Sequence, residues 1–478
     1  MNPELLSRFQ FALTISFHYI YPPISMGLGI ILVIFGVLYV RTRAQKWREL
    51  SFYWLKIYSL VFAMGIATGV VQEFEFGMNW SNYSRFVGNI FGSLLAAEGV
   101  FAFFLEGGFL GLMLFGGSRL GPRLWLLATT LVVFGAHFSA LWIVMANSWM
   151  QTPAGYTLQQ TPNGPNGQIA VMQSFAAVVF TPSFGARIFH VFVSAWMVGS
   201  SLVLSVSAWH LLRKRHEELA KSAIRVALPT FAVLAFLQVF VFGSWMALVV
   251  THYQPTKLAG MEGLWQTTSC APLYLVGWVD PATQTTHGVA VPCLLSYLAY
   301  FNINAPVTGL EAFPADTWPP LQLAFQAYHA MIDLGMVFIL IGLIGVVYYF
   351  WGRRLFSTRW VLYLLVATIF FTELATLAGW WTAEFGRQPW IVWELLKTQN
   401  AVSPTLTTLD VFLSVGIFIL MYAALFVLFL YLLNGSIQKG PEPLEEPSGE
   451  EPLPDTFREI FRRRPPRTDL PAEVSAPA

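Results

Sequence analysis

The chain has 478 residues, of which 56% are hydrophobic, 16% aromatic and only 11% charged, with a net charge of +1 and a mean hydropathy of +0.58. Soluble domains carry roughly a quarter charged residues, so this composition excludes an ordinary soluble enzyme, and the near-zero net charge argues against nucleic-acid binding. What remains is a multi-pass membrane protein whose helices pack as one bundle in a lipid bilayer.

No cleavable signal is evident at MNPELLSRFQ, so the first apolar run is expected to be retained. Apolar runs predict an all-α bundle of nine transmembrane helices near 11–40, 54–73, 94–116, 123–147, 185–212, 226–250, 321–351, 360–380 and 410–433. Basic residues fall in alternate connections: RTRAQKWR (41–48), SRLGPR (118–123), RKRHEELAKSAIR (213–225) and GRRLFSTR (352–359). By the positive-inside rule the N-terminus is then extracytoplasmic, the C-terminus cytoplasmic, and the long 251–320 connection faces outward. Cys270 and Cys293 both lie in that outer loop, where a disulfide is allowed and two buried thiols are the alternative. Residues 1–433 thus form the membrane domain, and the Pro-, Glu- and Arg-rich 434–478 are expected to be a disordered cytoplasmic tail.

Ionisable and metal-ligating side chains are costly in hydrocarbon, so each one inside a span is a functional candidate. His18 and His190 each lie one to three turns inside the outer end of a span, in ISFHYIYPP and ARIFHVFVSAWMVG. A single membrane histidine commonly bonds a neighbouring helix, whereas two at one depth suit axial ligation of heme iron. Met331, in QAYHAMIDLGM, falls about three turns from the outer end of its span; alone it would be core filler, but methionine opposite histidine makes a low-spin, electron-transferring heme. Glu384, in GWWTAEFGRQPW, ends the eighth span at the same level. It is either a fourth ligand or half of an interfacial ion pair with Arg387 in an aromatic belt. Four possible iron ligands in one leaflet point to a membrane cytochrome. Glu98 and Glu106 lie about 12 Å apart within a quarter turn of one helix face, which suits a proton relay, or a structural pairing of one of them with His137.

The stretches RFQFALTISFHYIYPPISMGLG, SRFVGNIFGSLLAAEGVFAFFLEGGFLGL, SALWIVMANSWMQTPAGY, QPTKLAGMEG and GWWTAEFGRQPW occur in order between residue 1 and about 433. Together they resemble subunit I of cytochrome bd quinol oxidase, and the short outer loop resembles the cyanide-insensitive subgroup. The resemblance implies a quinol:oxygen oxidoreductase of the bacterial cytoplasmic (inner) membrane that generates a proton-motive force. It implies His190 and Met331 as ligands of a low-spin heme b, and His18 and Glu384 as ligands of two high-spin hemes. One of these is a heme b and the other a heme d or a further heme b, and the assignment of ligand to heme stays open. Trp380 would lie between hemes and Arg387 would bind heme propionates. Lys257 and Glu262 would serve quinol, the carboxylate accepting a proton and the cation stabilising developing negative charge. Glu98 and Glu106 would lie in the region of the high-spin hemes and carry protons from the cytoplasm to them, Glu106 as the inward gate. His329 stands where many members have an arginine that tunes the low-spin heme. Implied partners are quinol, dioxygen, a subunit II and a small single-span subunit. A heme-bearing b-type electron-transfer cytochrome without oxygen reduction is the competing reading; a transporter, with polar groups at the midplane, fits the outward clustering poorly.

Overall fold

The computed structural model describes residues 2–116, 120–352 and 354–444, with residues 97 and 100–106 described by backbone alone. The chain begins with α1 (Pro3–His18), α2 (Tyr21–Thr42), α3 (Gln45–Met78), α4 (Ser81–Phe115) and α5 (Pro122–Gln151). After the β1–β2 hairpin (Tyr156–Gln160, Gln168–Met172) come a short α6 (Phe175–Val179), then α7 (Phe184–Leu212) and α8 (Glu217–Phe236). A π-helical segment, Leu237–Gly243, runs on into α9 (Ser244–Tyr253). The long loop contains α10 (Pro255–Glu262), the β3–β4 hairpin (Leu273–Asp280, Thr285–Val291) and α11 (Leu294–Tyr300). Then follow α12 (Leu321–Phe350), α13 (Arg359–Phe385), a small β5–β6 hairpin (Trp390–Val392, Leu396–Lys397) and α14 (Thr408–Lys439).

Eight helical stretches among the described residues are long and apolar enough to cross a membrane, α1 and α2 counting as one of 40 residues. The ninth expected span, 94–116, falls inside α4, where the partly described residues lie. The break between α1 and α2 has a local cause. Pro22 and Pro23 lack the N–H groups that would bond back to the last turn of α1 and clash with its carbonyls, so the helix stops at His18 and restarts at Tyr21. The three hairpins depart from a purely helical expectation, yet all sit in connections on one side, called here the loop side. The opposite ends carry the basic connections.

Near the middle of the bundle α2 and α7 cross in backbone contact. A Cβ on Gly27 would lie 2.0 Å from the Ala195 carbonyl oxygen, and one on Gly199 would lie 2.0 Å from the Gly27 carbonyl carbon. Around and below this crossing Leu28, Ile31, Phe35, Trp54, Leu204 and Phe231 form a fully buried core. Above it the packing opens. On the basic side α14 runs six residues beyond the expected 433 boundary. Residues beyond it still pack on the bundle: Lys56 pairs with Glu442 at 2.7 Å and Gln45 donates to the Leu444 carbonyl at 3.0 Å. The rest of the expected tail, 445–478, lies outside the described residues. In the loop, Cys270 and Cys293 form a disulfide.

Candidate functional site

On the loop side the helices enclose a cavity of about 1200 Å³. Single small-molecule sites span roughly 300–1,000 Å³, so there is room for more than one sizeable group. Its walls include His18 from α1, His190 from α7, Met331 from α12 and Glu384 from α13. The four side chains suspected from sequence therefore converge from four helices on one space.

Each donor is oriented by a neighbour. Thr68 donates its hydroxyl to the Met64 carbonyl (2.8 Å), so its oxygen accepts from His18 Nδ1–H (2.9 Å) and Nε2 is the ring nitrogen that could bind a metal. Metal-ligating histidines are commonly held this way through the other ring nitrogen. A Cβ on Gly69 would come within 3.2 Å of the His18 ring, which makes room for it. His190 faces the π-helical segment: Gln238 Nε2 lies 3.1 Å from its Nε2 and the Phe242 carbonyl faces the ring. A π turn frees backbone groups that a regular helix would use internally, and such turns gather at functional sites. Met331 Sδ would be 2.9 Å from a Cβ on Gly379, so glycine at the start of GWW seats the thioether.

Glu384 lies in the last turn of α13 and forms a close ion pair with Arg387, while Asn147 of α5 donates to its other oxygen at 3.1 Å. Arg187 of α7, one turn before His190, is hydrogen-bonded to Asn147. Both guanidiniums are buried, and Arg387 Nε and Nη1 and Arg187 Nε have no hydrogen-bond partner among the described residues. Buried donors of that kind require an acceptor. A heme propionate would supply one, and imidazole and thioether are usual donors to heme iron, to which an anionic carboxylate can be added; the residues fit the group. The ion-pair reading is altered too: at 3% side-chain exposure Arg387 is buried, and Glu384 at 18% is largely shielded, so the pair is not a freely solvated one. Trp380 lines the cavity with its ring centroid 5.0 Å from that of Tyr19.

Lys257 and Glu262 are not a pair. Five residues on α10 set them about 140° apart, and each finds different company. Lys257 donates to the Ala383 carbonyl (3.1 Å) and to Gln151 Oε1 (3.2 Å), so it caps the C-terminal turn of α13 one residue from Glu384. Burial, then the nearby Arg187, holds its ammonium well below the usual lysine range, while Glu384 opposes them. Glu262 faces Tyr328 of α12, without a fully formed hydrogen bond. Burial pushes its carboxyl up to about 8, although the Tyr328 hydroxyl pulls the other way. Lys257 and Tyr328 line the cavity; Glu262 stands behind Tyr328.

Three sequence expectations land elsewhere. His329 does not border the cavity: its Nδ1 donates to the Phe325 carbonyl (2.8 Å) and its ring stacks on Phe325 at 3.9 Å, under the β3–β4 hairpin. The helical turn that points Met331 inward points His329, two residues earlier, away. His137 is not the partner of Glu98, because Trp196 Nε1 donates to its Nε2 (2.7 Å) and its Nδ1 donates to the Val133 carbonyl (2.7 Å). Glu98 lines the cavity and accepts instead from Ser139 at 3.0 Å. The Glu106 side chain lies outside the described residues. The sequence reading passed over Arg187, Asn147 and Glu73, which all line the cavity. A charged residue inside a span, one turn from a suspected ligand, was the available signal for Arg187.

A helical membrane bundle with iron-type donors around one large buried cavity belongs to the cofactor-bearing redox proteins of membranes. Residues 6–441 match the model of the cytochrome bd terminal oxidase subunit I family. The chain is 35% identical over 460 residues to cytochrome bd ubiquinol oxidase subunit 1 of Bacillus subtilis, covering 92% of this chain and 95% of that one. It is 32% identical over 512 residues to cytochrome bd-II ubiquinol oxidase subunit 1 of Escherichia coli, covering 92% and 97%. The solved bd oxidase from Geobacillus thermodenitrificans superposes with a TM-score of 0.85 at 28% identity, covering 92% of this chain and 99% of that chain. The chain belongs to the cytochrome bd terminal oxidase subunit I family and is a subunit of a quinol oxidase.

Proposed function

We propose that this chain oxidises quinol at the outer face of a bacterial cytoplasmic membrane and, with a subunit II partner, reduces dioxygen to water. It crosses the membrane nine times, N-terminus outside and C-terminus inside. The observation that carries the reading is the convergence of His18, His190, Met331 and Glu384, from four helices, on one cavity beside unpaired buried arginine donors.

His190 and Met331 hold a low-spin heme b, and His18 and Glu384 each hold a high-spin heme, one a heme b and the other a heme d or further heme b. Bound there, the hemes supply one-electron transfer and an oxygen-binding iron. Arg387 and Arg187 would supply donors to heme propionates, and Trp380 would offer an aromatic wall of the same cavity. Lys257, held at the cavity wall by Gln151 and the Ala383 carbonyl, stabilises the anion that forms as quinol loses a proton. Glu262 accepts that proton by way of Tyr328, which stands between it and the cavity. Protons from quinol thus leave outward, whereas those for water come from the cytoplasm by way of Glu106 and Glu98, and the difference builds a proton-motive force.

Met331→Leu tests this reading in the purified oxidase, since it roughly keeps volume while removing sulfur. The low-spin absorption should convert to a high-spin form and quinol oxidation should fall, while artificial donors retain some oxygen reduction. An unaltered low-spin spectrum would contradict the ligand assignment.

A further inference from the structure

Glu373 of α13 has no role in the scheme above. It lies eleven residues before Glu384, about 16 Å toward the basic side and within roughly 20° of the same helix face. Both its carboxylate oxygens are buried and neither has a hydrogen-bond partner among the described residues. An unpartnered carboxylate at membrane depth is stable only with its proton on, and such groups mark proton paths. Its charge is within electrostatic reach of the Tyr19 and Tyr21 hydroxyls where α1 breaks into α2. Tyr19 lines the cavity beside Trp380, and the Tyr21 hydroxyl is itself buried without a partner.

On the basic side of Glu373 a ladder of buried hydroxyls runs between α13 and α7. Ser201 and Thr372 hydroxyls meet at 2.7 Å, Thr368 donates to the Ser201 carbonyl (3.3 Å) and Ser205 donates to the Val366 carbonyl (2.7 Å). Four-residue spacing keeps Thr368, Thr372 and Thr376 on one face and Ser201 and Ser205 on the other. Hydroxyl stripes also serve simple helix packing, but Thr372 at the top of this one is followed directly in α13 by the Glu373 carboxyl, which has no partner among the described residues.

Resting on the reading that protons for water come from the cytoplasm, we infer that Glu373 is a proton relay: the α7–α13 hydroxyls pass protons up from the basic side, and the Glu373 carboxyl hands them on toward the cavity. In each passage the carboxyl gains one proton from the basic side and releases one toward the oxygen under reduction; the electrons come from quinol. This route is separate from Glu98 and Glu106, which lie on α4.

The test uses the complete oxidase in vesicles with Glu373→Gln, Glu373→Leu and Glu373→Asp. Heme content and optical spectra should match the wild type in all three. Oxygen reduction should fall about tenfold or more in Gln and Leu, with partial recovery in Asp, the one variant that can still carry a proton. Redox-difference infrared spectra should show a protonated-carboxyl band that Gln and Leu remove and Asp shifts. Wild-type turnover in Gln or Leu, or a carboxyl band unchanged in Gln, would overturn the relay. If Gln does not assemble, the Asp variant decides: a shifted band supports the relay and an unshifted one overturns it. Wild-type heme content and oxygen uptake in the same preparation test the preceding functional reading separately.

Discussion

The two halves of the bundle are built on opposite terms. From the middle of the bundle to the basic side the packing is closed: α2 and α7 touch backbone to backbone at Gly27 and Gly199, and large apolar side chains fill the space around and below them. On the loop side the same α7 parts from its neighbours around a 1200 Å³ cavity, where arginines, glutamates and histidines sit among tryptophans. A close-packed interior resists compression, so the closed half serves as the frame that fixes where the donors of the open half point. The stability of the protein should therefore be most sensitive at the crossing, and its chemistry most sensitive above it.

The largest effect should come from breaking the frame. In Gly199→Val the new Cβ would fall 2.0 Å from the Gly27 carbonyl carbon, where no flexible side chain can move aside. A loss of about 3 kcal/mol or more is expected, seen as little assembled oxidase in the membrane and loss of every heme together. Retention of a single heme type would mean that the two halves are less coupled than described.

Changes in the open half should be selective. Glu384→Gln and Arg387→Gln each remove one half of a shielded ion pair, so both should destabilise somewhat. Only the first removes a ligand. Glu384→Gln should lose or alter one high-spin heme, whereas Arg387→Gln should keep it ligated but easier to extract. Equal and full heme content in both would reduce Glu384 to an ion-pair partner of Arg387.

A smaller and more local effect is expected at Glu262. With its carboxyl pushed up to about 8, the proton-accepting form is the minority at neutral pH and grows as pH rises. Quinol oxidation should therefore climb through pH 8 in the wild type. In Glu262→Gln that rise should vanish and turnover should drop about tenfold, with all hemes in place. A variant with wild-type rate and pH profile would return Glu262 to a merely structural position.

The same contrast explains what the sequence made legible. His18, His190 and Glu384 stood out because polar side chains are rare and costly in apolar helices, Met331 only as a possible partner to them, and their shared depth could be read by counting turns. Helix ends were less legible: α13 continues to Phe385, so Glu384 sits inside its last turn rather than beyond it. Facing within a helix was misjudged where proximity in sequence stood in for geometry. Lys257 and Glu262 diverge around α10, and His329 turns from the side that Met331 occupies. The Asn147–Arg187–Glu384 network joins three helices far apart in sequence, and no local pattern announces such a meeting. Glu98 found Ser139 instead of His137 because Trp196 had claimed the imidazole.

The central claim is that one chain gathers the ligands of several hemes into a single cavity. Counting hemes per polypeptide in the purified oxidase, by pyridine hemochrome assay and heme extraction against quantified protein, tests it most directly. Three hemes per copy of this chain, one low-spin and two high-spin, is the expected result. A single heme per chain would contradict it, and would leave His18 and Glu384 without iron to hold.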